Sequence, residues 1–225
     1  MTGLLAENGP DSFIWWSWIG DHTDEIQERA VQHLVLTGVA IGIGLVLSVI
    51  LSAVALRYRR TLGPITWSAG ILYAIPSLAL FGFLVPITGA SLLTAEIALV
   101  SYCLLILIQN VVAGVDGVPD SIRDAADGMG YTPLRRFFRV ELPLALPEII
   151  TGLRVATVTI IGLVTVTALI GHGGFGAFIN DGLDRSFSTP IVVGIVGSVL
   201  LALIADLIFV IIQRALTPWT RRGRS

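Results

Sequence analysis

Charged side chains are confined to a few short stretches of this chain. Residues 33–56, 65–95 and 97–115 are uncharged, mainly aliphatic runs; 155–170 is a shorter one, and 190–205 is extended by 207–212 beyond the single Asp206. The hydrocarbon core of a bilayer is crossed by a helix of about 20 residues, and buried helices of soluble proteins rarely repeat that length several times. The pattern therefore predicts an all-α integral membrane protein. Five transmembrane helices are placed at about 33–56, 66–87, 93–114, 148–170 and 190–213.

Composition agrees: 54% of residues are hydrophobic and 13% charged, where a soluble domain carries about 25% charge. The first run is not a secretory signal, because Asp21, Asp24, Glu25 and Glu28 precede it where a signal is basic. The net charge of -2 hides an asymmetry. Arg57, Arg59 and Arg60 follow the first span. Arg123, Arg135, Arg136 and Arg139 lie between the third and fourth, and Arg214, Arg221, Arg222 and Arg224 follow the fifth. Alternation puts these three groups on one side, leaving Arg29 and Arg185 on the other. The positive-inside rule then places the N-terminus outside and the C-terminus in the cytoplasm, and an even number of spans would break the segregation. The predicted organisation is an extracytoplasmic interfacial segment 1–32, a transmembrane domain 33–213 with a cytoplasmic segment 119–143, and a basic cytoplasmic tail 214–225.

Several local features bear on packing. Trp15, Trp16 and Trp18 suit the headgroup level, as a membrane anchor or as a contact for an external partner, and residues 22–32 read as a short polar helix on the outer surface. Gly38 and Gly42 have close-packing spacing, and Gly194 and Gly197 offer small surfaces in the fifth span. Pro76 removes a backbone hydrogen bond inside the second span and predicts a kink, either as packing geometry or as a hinge lining a pathway. Asp206 is a carboxylate at membrane depth, so it pairs with an Arg near the inner face or with polar groups on another helix, or it serves a gate or pathway. Arg154 is expected to snorkel to the headgroups. Cys103 is the single cysteine and is assigned to packing.

Missing chemistry is equally informative. Every basic residue other than histidine is Arg. A Walker A loop needs a Lys for the β/γ-phosphates, so any ATP used must be hydrolysed by another chain. His22, His33 and His172 are scattered and have no metal-ligand spacing. No nucleophile elbow or acid–base constellation stands out, and the Arg-rich face follows from membrane topology without any nucleic acid. The expectation is no enzyme, no metal and no cofactor in this chain.

The cytoplasmic segment is the most distinctive part. Pro119, Asp120 and Ser121 mark a helix start, with Ser121 as cap and Asp124 three residues on, as in a capping box. Ile122, Ala125, Ala126 and Met129 recur at helical spacing, and Gly128 and Gly130 end the helix after about two turns. Thr132 and Pro133 start a second short helix, and Glu141, Leu142 and Pro143 lead through Pro147 back to the membrane. By its residues alone this is either an amphipathic connector resting on the membrane or a surface for a partner.

The segment resembles the signature of permease subunits of binding-protein-dependent ABC importers: Glu-Ala-Ala, three residues, Gly, nine residues, Ile, one residue, Leu-Pro. This chain has Asp124, Ala125, Ala126, Gly130, Val140, Leu142 and Pro143 at those offsets, with Asp for Glu and Val for Ile. Segments such as QHLVLTGVAIGIGLVLSV and GHGGFGAFINDGL, within 27–213, resemble the branch that imports glycine betaine, choline, carnitine and proline betaine. The resemblance implies a MetI-like ABC permease fold in a bacterial plasma membrane. It implies that residues 121–131 seat in a cytoplasmic ATPase subunit, with Asp124, Ala125, Ala126, Gly130, Leu142 and Pro143 as coupling residues. The implied partners are two ATPase subunits that bind ATP and Mg, a separate extracytoplasmic binding protein, a second permease, identical or paralogous, and lipid. Pro76, Gly173, Gly174, Phe175 and Asp206 are the expected pathway or gate residues, with Phe175, Phe178 and Ile179 on an outer loop that re-enters or caps the path. Two rivals stand beside this reading: a permease for methionine or another small solute, and a non-transporting membrane scaffold.

Overall fold

Long apolar runs with few breakers favour helix throughout, and the computed structural model, described over residues 12–221, contains no strand among them. In chain order the helices are α1 (Trp16–Asp21), α2 (Thr23–Arg57), α3 (Leu62–Ala74), α4 (Ser77–Thr88), α5 (Leu92–Asp116), α6 (Asp120–Gly128), α7 (Pro133–Arg136), α8 (Leu142–Val164), α9 (Gly176–Asp184) and α10 (Ser188–Leu216). A π turn, Phe137–Glu141, joins α7 to α8, and a 3-10 turn, Val166–Ile170, follows α8. Residues 1–11 of the interfacial segment, and Arg222 and Arg224 of the tail, lie outside the described residues.

Among the described residues, four continuous helical stretches are long and apolar enough to cross a membrane: α2, α7 through α8, α5 and α10. The stretch expected to form the second span differs from a kinked helix. Pro76 disfavours helical geometry in the residue before it and is itself extended, with ψ 134°. The segment therefore breaks into α3 and α4, bent by 95°. The most apolar 18-residue stretch of α10 has no buried residue. In water such a surface would collapse; in a bilayer it meets lipid or another membrane helix.

Four further expectations are corrected. Residues 22–32 do not form a separate surface helix, because α2 runs unbroken from Thr23; nothing in that stretch is a helix breaker. The fourth span starts earlier than 148 and its α-helix ends at Val164. Pro143 lies near the start of α8 and Pro147 inside it, rather than in a connector. The ring of Pro143 would crowd the carbonyl four residues back, that of Arg139, which lies in the widened π turn. Gly38 and Gly42 also make no close helix contact: a Cβ on either meets nothing within 4 Å.

Packing falls into two units. One comprises Met1–Ala40, Ile75–Leu99 and Thr159–Leu203, and the other Ile41–Ala74, Val100–Val158 and Ile204–Ser225. In the first unit Leu36, Phe81, Leu99, Ile161, Phe175 and Phe178 are buried. In the second, Ala69, Ile108 and Val112 form a core joined by Leu51, Leu104 and Leu105. There α5 and α8 approach closely. A Cβ on Gly114 would lie 2.9 Å from the Ala145 carbonyl oxygen, and one on Gly152 would lie 2.8 Å from Asn110 Cγ. Gly44 is likewise closed by buried Cys103.

Candidate functional site

The cytoplasmic signature maps onto α6 and the start of α8. Pro119 precedes the first turn of α6 as N-cap, with φ -59° and ψ 139°. It has no capping side chain, so the expected Ser121 cap is not made: Ser121 is already inside the helix. The other end follows a Schellman pattern. The Tyr131 amide donates to the Ala126 carbonyl at 3.1 Å, and the Gly130 amide donates to the Asp127 carbonyl at 2.9 Å. Gly130 supplies the left-handed residue this closure needs, with φ +78°. Gly128 is the last helical residue, not a stop.

Along α6 the apolar stripe divides. Ala126 is buried, whereas Ala125 and Asp124 are exposed and Met129 is 68% exposed. Leu142 and Pro143 are half-buried at the start of α8. Thr132 caps α7, its side chain accepting from the Arg135 amide.

Charged side chains whose pairing the sequence does not show fasten these pieces. Arg123 of α6 lies 3.1 Å from Asp120 and 3.4 Å from Glu141, and donates to the Val115 carbonyl at 2.6 Å. Arg136 donates to Glu141 at 2.7 Å and to Asp127 at 2.5 Å. Just before α6 in the chain, Asp116 forms a two-pronged pair with Arg59, 57 positions away, at 2.7 and 2.5 Å. The available signal for Glu141 was its place as the only carboxylate in RRFFRVELP, where the chain turns apolar.

The expected gate residues fall in three places. Gly173, Gly174 and Phe175 form one joint in the first unit. The Gly174 amide donates to Gln32 Oε1 at 3.1 Å, and the Phe175 amide to His33 Nδ1 at 3.4 Å. The same imidazole meets the Ile161 carbonyl through Nε2 at 2.9 Å. Nε2 must carry the proton to donate there, which leaves Nδ1 free to accept. A Cβ on Gly174 would come within 2.6 Å of His33 Cβ, so this glycine permits close approach as well as its φ of +50°. The expected outer loop is therefore largely helical, as α9, with Phe175 and Phe178 buried. Gln32 and His33 were missed as a pair, although both stand where α2 turns apolar.

Pro76 is exposed at the α3–α4 bend. Asp206 belongs to the second unit and pairs with Arg154, which donates through Nε at 2.9 Å and Nη2 at 3.1 Å. Arg154 thus has a carboxylate partner instead of snorkelling. The tryptophan segment is also held by protein. The Trp15 amide donates to Thr189 Oγ1 at 2.9 Å, Ser188 Oγ donates to the Phe13 carbonyl, and the Trp18 ring lies 5.9 Å from Phe178 and 5.8 Å from Phe187.

The profile of the family described as "Binding-protein-dependent transport system inner membrane component" matches residues 40–222. The chain belongs to this family. Among its relatives is the choline transport system permease protein OpuBB of Bacillus subtilis (strain 168), 32% identical over 194 residues, covering 86% of this chain and 89% of that protein. Another is the osmoprotectant import permease protein OsmW of Salmonella typhimurium, 33% identical over 203 residues and covering 88% and 94%. In fold the chain is similar to the inward-facing MetNI methionine ABC transporter, with TM-score 0.71, 21% identity and coverage of 90% and 98%. At that identity the likeness establishes the fold alone. As a binding-protein-dependent inner membrane component, the chain is a non-catalytic, multi-pass permease subunit of an ABC importer for a small solute. Such a subunit works within a complex that includes an ATPase.

Proposed function

We propose that this permease subunit carries a quaternary-ammonium osmoprotectant across the bacterial plasma membrane. One observation carries the reading: relatives spanning most of the chain are named for choline and for glycine betaine, carnitine and choline, solutes that share a trimethylammonium head. In this reading α2, α5, α8, α10 and the bent pair α3–α4 make five spans, with the N-terminus outside and the C-terminus cytoplasmic. Arg57, Arg59, Arg60, Arg123, Arg135, Arg136, Arg139 and Arg214 then share the inner side.

Two permease subunits, identical or paralogous, line the path. Each seats one of two ATPase subunits on residues 121–131, and a separate binding protein delivers solute from outside. Exposed Asp124 and Ala125 form the docking face, Ala126 fixes it to the chain's own body, and Gly130 closes it. Leu142 and Pro143 start the helix that receives the movement. The α3–α4 bend at Pro76, the Gly173–Gly174–Phe175 joint, and Asp206 with Arg154 are the elements that change as the path opens.

A second solute is favoured by one more relative. The ergothioneine transport permease/ergothioneine binding protein EgtU of Helicobacter pylori is 39% identical over 135 residues, 60% of this chain and 24% of that protein. Ergothioneine also carries a trimethylammonium group. Proteoliposomes holding the full complex and its binding protein test the proposal with labelled choline, glycine betaine, carnitine, ergothioneine and methionine. ATP-dependent uptake of one or more trimethylammonium solutes is expected. Uptake of methionine alone, or of none of the five, would overturn it.

A further inference from the structure

The nine residues of α6 are too few to hold a helix alone, since isolated helices under about 12 residues are marginal in water. A lever made from α6 must be fastened to the helix it moves. Glu141 supplies the fastening point. Its side chain is 9% exposed in the π turn and lies 2.7 Å from Arg136 and 3.4 Å from Arg123. Arg123 is part of α6. Arg136 reaches back 2.5 Å to Asp127, also part of α6. The side chains link in the order Arg123–Glu141–Arg136–Asp127, acids and bases alternating, and the α6 backbone between Asp127 and Arg123 closes the ring.

The geometry distinguishes this ring from ordinary surface pairing. Arg123 and Asp127 are four residues apart and lie on one face of α6, so a tilt of the helix is passed on at two points. Both routes lead to the π turn, the segment between α7 and α8. Stripping one partner from a buried carboxylate leaves an uncompensated charge, so the ring resists opening one bond at a time. Asp124 and Ala125 remain exposed while this happens, free to meet another chain.

We propose that Glu141 is a positioning residue that transmits movement of α6 to α8. Losing its charge leaves the ATPase subunits seated but disconnects hydrolysis from transport. The inference rests on the docking role proposed for α6. Glu141→Gln, Glu141→Asp and Asp127→Asn are reconstituted in the full complex. Retention of ATPase subunits on purification, solute uptake and ATP hydrolysed per solute imported are measured.

Glu141→Gln is expected to retain the ATPase subunits, lose uptake by at least about tenfold and raise the ATP-to-solute ratio. Glu141→Asp, which keeps the charge, returns the ratio towards that of the parent. Asp127→Asn opens the ring at an exposed side chain and raises the ratio less; it decides alone if Glu141→Gln fails to insert. A parental ratio in both neutral variants overturns the proposal, as does loss of ATPase subunits from inserted Glu141→Gln. Docking is read separately from Ala125→Trp. If that variant keeps its ATPase subunits, the seat lies elsewhere and the docking reading fails, whatever Glu141 does.

Discussion

Replacing Gly130 separates backbone strain from contact with a partner. Its φ of +78° places it in the left-handed region, where a residue with a Cβ costs about 1–2 kcal/mol and Asn is the better tolerated exception. A Cβ built there meets no atom within 4 Å, so strain is the whole cost within the chain. One to two kcal/mol changes a two-state population by about 5–30-fold. That strain falls on the last turn of α6, where the Tyr131 and Gly130 amides close on Ala126 and Asp127. Initial uptake rates in proteoliposomes, at equal reconstituted amounts, are expected to fall in the order Gly130, Asn, Ala, Val, with Ala lower than the parent by about 5–30-fold. If a partner surface lies against position 130, any side chain obstructs it, and Asn falls as far as Val. That equality, or parental uptake by Gly130→Val, would refute the strain argument.

Two further tests address the membrane helices. Gly152→Val places its first carbon against Asn110; overpacking of about 1–3 kcal/mol is expected to lower thermal stability of the isolated subunit in detergent. Gly38→Ala, with nothing within 4 Å, should leave stability unchanged, and equal melting of the two variants would contradict the packing described for α5 and α8. Asp206→Ala strands the Arg154 guanidinium and is expected to cost about 1–2 kcal/mol more than the double change Arg154→Met with Asp206→Leu, which removes both charges together. A double variant no more stable than Asp206→Ala would refute the pairing as the source of the cost.

Helix content and the places of most long helices were legible because uncharged runs of such length have few alternatives to helix. The errors lie where short-range signals compete. Pro76 read as a kink became a 95° break, since its ring also restricts the residue before it. Ser121 read as a cap lies inside α6, because Pro119 already holds an extended conformation suited to the helix start. The Gly38–Gly42 spacing suggested contact and finds open space, whereas Gly114 and Gly152 carry the close approach without any such spacing. A glycine pattern marks where a backbone can approach; which partner arrives is decided by the arrangement of the other helices.

The signature residues were visible at their offsets, but the side chains that fasten them were not. Arg123, Asp127, Arg136 and Glu141 are separated by loops and a π turn, and nothing in their spacing announces a ring. His33 and Phe175 meet across 142 positions in the chain, so no local pattern could pair them. Arg154 and Asp206 likewise meet across 52 positions.

By itself the sequence determined that the chain is helical and membrane-embedded, and that ATP must be hydrolysed elsewhere, because hydropathy, charge bias and a missing lysine are properties of residue order alone. Only the tertiary structure decided which charges neutralise one another and which glycines are closed. It also decided that α6 presents Asp124 and Ala125 while burying Ala126, because burial and ion pairing depend on which helices fold back against each other.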